Sequence, residues 1–197
     1  MDVEISQLQR IYTYPDVNEC IFFTIPLLYK LGIVTIIYNI LSRRKYLNIN
    51  PILSPDLLFN LRSMGHGEKL ILADANFPSN STNDRVIRLD GVNIKDAATA
   101  ILSVFPLDSF VVSQGGSPAL RMEVDNKPDE LTETHKEFIE VVKKVSGENW
   151  KVGSISRQNF YEEAKKAYCI VTTTDARPFG CFVLTKGVIL PDGKVWS

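Results

Sequence analysis

The stretch KLILADA, residues 69–75, constrains the fold more than any other in the chain. It is too apolar to leave a face in water, so it reads as a strand covered on both sides. A helical pattern precedes it: Ser54 as N-cap, Pro55 in the first position, Asp56 in the first turn, and Leu57, Leu58, Leu61 and Met64 as an apolar stripe. Gly65 is expected to end that helix in the left-handed conformation that glycine favours. Beyond it, DRVIRLD (84–90) reads as a strand and IKDAATAILSVF (94–105) as a helix. SFVV and ALRMEV read as short strands, and TETHKEFIEVVKKV (132–145) as an amphipathic helix. WKVGSIS is a strand, RQNFYEEAKKA (157–167) a helix, and YCIVTTT and CFVLTKGVI are strands. Such alternation implies an α/β fold, with a mixed or parallel sheet covered by helices on both faces.

Composition narrows the class. The chain has 197 residues, 45% of them hydrophobic and 23% charged, which suits one sizeable globular core with or without an appendage. A formal net charge of −1 supplies no global field to recruit nucleic acid. Cys20, Cys169 and Cys181 show no metal-binding spacing and read as reduced thiols in a cytoplasmic protein. Asn80-Ser81-Thr82 is a formal glycosylation sequon, read as a chance match.

The first 50 residues differ from the rest. IFFTIPLLYKLGIVTIIYNIL, residues 21–41, is long and apolar enough for a membrane anchor and is followed by Ser42-Arg43-Arg44-Lys45. Lys30, Pro26 and Gly32 argue against a span, so membrane association through 21–41 is not favoured. An anchor, a packed or partner-covered extension, and a gene-model extension all stay open. Asn48-Ile49-Asn50-Pro51 reads as a linker, dividing the chain into an apolar extension, 1–50, and a domain, 51–197.

The candidate chemistry lies in that domain. Gly65 and Gly67 bracket His66, which leaves an imidazole open to a small ligand as acid or base. No metal is expected there, since the other histidine, His135, reads as sitting amid solvated helix charges. Asp74 closes an apolar strand, and burying an unpaired carboxylate is costly. It therefore calls for a donor, from the next loop or from a ligand hydroxyl. Asp108, Arg157, Tyr161 and the RPFGC segment at 177–181 complete a set of carboxylate, guanidinium, phenol and imidazole groups. Each alone has an ordinary structural explanation, but together they suit an uncharged polyhydroxylated ligand. No phosphate loop, nucleophile elbow or nucleotide fingerprint competes.

PILSPDLLFNLRSMGHGEKLILADANFP, followed in order by VIRLDG, FPLDSF, RQNFYEEAKKAY and LTKGVI, resembles the L-fucose mutarotase / D-ribose pyranase family over roughly residues 51–190. The insert at 126–149 is similar to that of the animal-type members. The resemblance implies a three-layer α/β fold with a central mixed sheet, a homo-oligomer whose subunit contacts complete a pocket, and no cofactor. It implies a mutarotase that interconverts the anomers of a free monosaccharide, L-fucose foremost. The catalytic histidine falls on His66, with Tyr161 expected as its proton-transfer partner. Asp74, Asp108, Met122, Arg157, Phe179 and Cys181 fall on sugar-binding positions. The family's Tyr-Gly-Asn is here Phe179-Gly180-Cys181, so two polar groups are missing and the choice of sugar is open. A non-catalytic sugar-binding or regulatory protein on the same fold is the second reading, and a membrane-tethered interaction module the third.

Overall fold

A computed structural model of the chain describes residues 49–192 and 194–196. The 21–41 segment, and with it the expected extension, lies outside the described residues. Among those described, no helix is long and apolar enough to cross a membrane.

The compact unit beginning at Asn50 is built on six strands. In chain order the elements are α1 (Pro55–Ser63), β1 (Lys69–Ala73), α2 (Ser79–Thr82), β2 (Val86–Leu89), α3 (Ile94–Leu102), α4 (Ser109–Ser113), β3 (Ala119–Met122), α5 (Glu133–Ser146), β4 (Val152–Ile155), α6 (Arg157–Lys166), β5 (Cys169–Thr173) and β6 (Phe182–Thr185). The strand order is β2-β5-β1-β6-β3-β4. β6 runs antiparallel to both neighbours, and the other pairings are parallel, so the sheet is mixed.

Alternation along β1 explains why its sequence is apolar throughout. Leu70 and Leu72 join the core under α1, α3 and α5, while Ile71 and Ala73 join a second core under α6. A strand buried on both faces cannot alternate polar and apolar residues. Phe138 of α5 stacks on Phe182 of β6 with ring centroids 3.9 Å apart, fastening that helix to the sheet. The α/β, three-layer expectation holds.

Three local readings need correction. SFVV is the helix α4, because the Asp108 side chain accepts from the Phe110 amide and caps a helical turn. α1 does not end on a left-handed Gly65: the chain leaves the helix extended at Met64, and Gly67 takes the positive φ of 81°. His135 is not solvated. It is completely buried, in the first turn of α5.

Candidate functional site

The expected site residues fall at two opposite ends of the sheet. One group lies where β1 ends and β6 begins, beside the carboxyl ends of the parallel strands, the usual location for ligands in open α/β sheets. Asp74, 3% exposed, follows β1 directly. Its Oδ1 accepts from the Asn76 amide at 2.9 Å, and its Oδ2 from the Gly180 amide at 3.0 Å. The Cys181 thiol donates to the same Oδ2 at 3.6 Å. Burial, and the carboxylate beside it, push the Cys181 thiol pKa far up, so it stays a protonated donor. Loop donors thus satisfy Asp74 before any ligand arrives.

Gly180 permits this close approach. A Cβ added there would lie 3.2 Å from Asp74 Cβ and 3.2 Å from Ile94 Cγ1. The Met122 amide donates to the Cys181 carbonyl at 2.9 Å, and Met122 packs in the same core as Phe77, Phe160 and Cys181. Tyr161 and Phe179 pack against that core, half-buried. Tyr161 leans on Phe77 at 5.1 Å between ring centroids, and Arg157 lies 5.9 Å from the Tyr161 ring. Arg157 is exposed at the start of α6 and pairs with Asp125 at 2.6 Å.

Two supports of this region carry no sequence motif. Asp175 accepts from the Ile94 amide at the head of α3 and pairs with Arg177 at 2.8 Å. The Arg177 guanidinium holds the Asp175 carboxyl down to about 2. Arg177 also reaches Glu137 of α5 at 2.9 Å. The second support is His135, whose burial lowers its pKa. Its Nδ1 accepts from the Thr132 amide at 3.3 Å, and its Nε2 lies 2.9 Å from the Phe179 carbonyl. The helical spacing 135, 138, 142 matches the buried face of α5 and was the available signal.

The other group lies beyond the amino end of β1. His66 sits in the Gly65–Gly67 turn, which is closed by the Gly65 amide donating to Glu68 Oε2 at 2.6 Å and the Gly67 amide donating to the Lys186 carbonyl at 2.9 Å. The His66 side chain is 46% exposed, and its Nε2 lies 3.2 Å from Oδ2 of Asp108, which is almost fully buried. Phe110 lies against the imidazole at 5.2 Å between centroids. A buried carboxylate bound to one ring nitrogen fixes the ring orientation and leaves the other nitrogen free. Asp108 therefore sits with His66 and not with Asp74. The five residues of β1, at ~3.3 Å each, keep His66 about 16 Å from the Asp74 group. One protomer does not bring His66 and Tyr161 together: Tyr161 packs on Phe77, in the Asp74 group. Among the described residues no group of three or more His, Cys, Asp or Glu side chains could hold a metal ion.

Residues 47–189 match the RbsD / FucU transport protein family. The chain belongs to this family. Among RbsD / FucU relatives, the fucose mutarotase of Bos taurus is 39% identical over 146 residues, covering 71% of this chain and 92% of its own. The fucose mutarotase of Danio rerio is 37% identical over 152 residues, covering 73% and 94%. The crystal structure of the fucose mutarotase of Streptococcus pneumoniae in complex with L-fucose superposes with a TM-score of 0.66 at 36% identity, covering 74% of this chain and all of the other. The RbsD / FucU match begins four residues before Pro51 and ends within the tail after β6.

Proposed function

We propose that this RbsD / FucU protein is a mutarotase, an isomerase that interconverts the α and β anomers of L-fucose. The observation that carries the reading is a half-exposed imidazole held by a buried carboxylate, on a chain alike over most of its length to named fucose mutarotases. Mutarotation needs one proton removed from the anomeric hydroxyl and one delivered to the ring oxygen. The C1–O5 bond breaks as the C1=O bond forms, the aldehyde turns about C1–C2, and the reverse step closes the other anomer. Protons and electrons balance without redox chemistry. Positioned acid–base groups contribute about 10²–10⁴-fold, enough for a reaction that already proceeds in water.

We assign His66 as the proton-transfer residue, oriented by Asp108, and Tyr161 as its counterpart. Asp74 and Arg157 hold sugar hydroxyls. Met122, Phe179 and Cys181 form the wall against the sugar's apolar side. Because the two groups lie at opposite ends of β1, the reading requires a homo-oligomer in which the His66 end of one copy faces the Asp74 end of another. The buried, protonated thiols fit a reducing, cytoplasmic setting.

A second reading, sugar binding without turnover, draws support from Phe179 and Cys181, which offer the sugar neither a hydroxyl nor an amide. Magnetisation-transfer NMR on L-fucose with the full chain separates the two. Faster α/β exchange than in buffer supports the mutarotase. Perturbed sugar signals with the buffer exchange rate would establish the binder instead.

A further inference from the structure

Phe179 holds a backbone conformation that a bulky residue rarely adopts. Its φ is 63°, and Asn126 is the only other non-glycine residue with positive φ among those described. Such a conformation persists only where the surroundings enforce it. Three bonds do so here. The Gly180 amide is tied to Asp74, the Cys181 carbonyl to the Met122 amide, and the Phe179 carbonyl to His135.

The His135 contact is built to donate. Nδ1 accepts from the Thr132 amide in the capping box of α5, so the proton of the neutral ring resides on Nε2, aimed at the Phe179 carbonyl. The ring is wholly buried and edge-on to Phe182, with centroids 5.9 Å apart, so it has no other place to go. Two residues further along α5, Glu137 grips Arg177 near the other end of the same loop. The start of α5 thus clamps the 175–181 loop at two points.

We infer that His135 is a positioning residue for sugar affinity: through its Nε2–H bond to the Phe179 carbonyl, it holds the Phe179 wall and the Gly180 amide in place without touching the sugar. The inference rests on the reading of Phe179 as part of the sugar site. It predicts that His135→Phe, which keeps the packing but removes both ring hydrogen bonds, raises KM for L-fucose about 3- to 10-fold, while kcat changes less than two-fold. His135→Gln is the conservative rescue. Its side-chain oxygen can accept from the Thr132 amide and its NH₂ can donate to Phe179, so KM returns to within about two-fold of the original.

Two readouts need no sugar turnover. Long-range ¹⁵N NMR of the unmodified full chain should show His135 as the neutral Nε2–H tautomer at pH 7. Hydrogen-exchange mass spectrometry should show faster exchange in the peptide spanning 174–182 in His135→Phe. An Nδ1–H tautomer, or a folded His135→Phe with unchanged KM and unchanged exchange in that peptide, overturns the inference. If the unmodified chain fails to speed anomer exchange, the mutarotase reading falls by itself, and the tautomer and peptide exchange still decide whether His135 holds the loop.

Discussion

At the residue scale, the Asp74 cluster shows what the unusual Phe179-Gly180-Cys181 segment does. A thiol is a weak donor, and here it is spent on Asp74 rather than offered to a ligand. Phe179 keeps an aromatic face without a polar tip. We expect Phe179→Tyr combined with Cys181→Asn to raise the L-fucose exchange rate, since each hydrogen bond regained is worth about 0.5–1.5 kcal/mol. Steady-state rates on both proteins check this. A lower rate in a folded double variant would mean that the pocket is shaped for a different sugar. Asp74 was legible as a problem in the sequence, a carboxylate in an apolar strand. Its solution was not, because Gly180 and Cys181 lie more than 100 positions away and reach it only through the β1–β6 pairing.

At the element scale, α5 links the helical layer to the site, and its buried histidine makes that link sensitive to pH. Burial holds His135 below its ordinary pKa of 6.5, with Arg121 adding to the effect. The unfolded chain therefore takes up this proton first, and the folded state loses stability as pH falls below about 6.5 towards the lowered folded pKa. We expect thermal denaturation to give a lower Tm at pH 5.5 than at pH 7.5, with a smaller difference in His135→Phe. Equal slopes in the two proteins would remove His135 as the cause. Asp175 acts in a separate window. Its carboxyl is held at about 2 against an ordinary 3.8, so the stability it contributes is lost only as pH falls from about 4 towards 2.

Most elements were readable because each obeys local rules: Ser54 caps α1 as its position suggests, and Thr132 caps α5. The exceptions are places where a single side chain outweighed the pattern around it. SFVV has strand-forming residues, yet Asp108 caps it into a helix. The charges at Glu133, Lys136 and Glu137 masked the buried His135 between them.

At the scale of the whole molecule, we propose that residues 50–197 fold without the preceding segment. The described core, both its layers and the family match from residue 47 are contained in or bound almost wholly by that range. Expressed alone, this chain should be folded by circular dichroism and oligomeric by light scattering. Aggregation would place residues 1–49 in the core, and a folded monomer would assign them the assembly contact. The strand pattern of residues 69–75 already set His66 before its start and Asp74 near its end. What no local pattern could reveal is that Asp108, 42 positions on, joins the His66 end and not the Asp74 end.

The central claim is that L-fucose anomer exchange occurs where the His66 end of one copy meets the Asp74 end of another. The most direct measurement is complementation. His66→Ala and Asp74→Asn are prepared separately, mixed under conditions of verified subunit exchange, and assayed by magnetisation transfer on L-fucose. Each variant alone should lose about 10²-fold or more for His66 and a comparable amount for Asp74, and the mixture should recover exchange that neither shows alone. A mixture that stays as slow as its components after subunits have exchanged, or an unmodified protein that leaves L-fucose at its rate in buffer, would contradict the account.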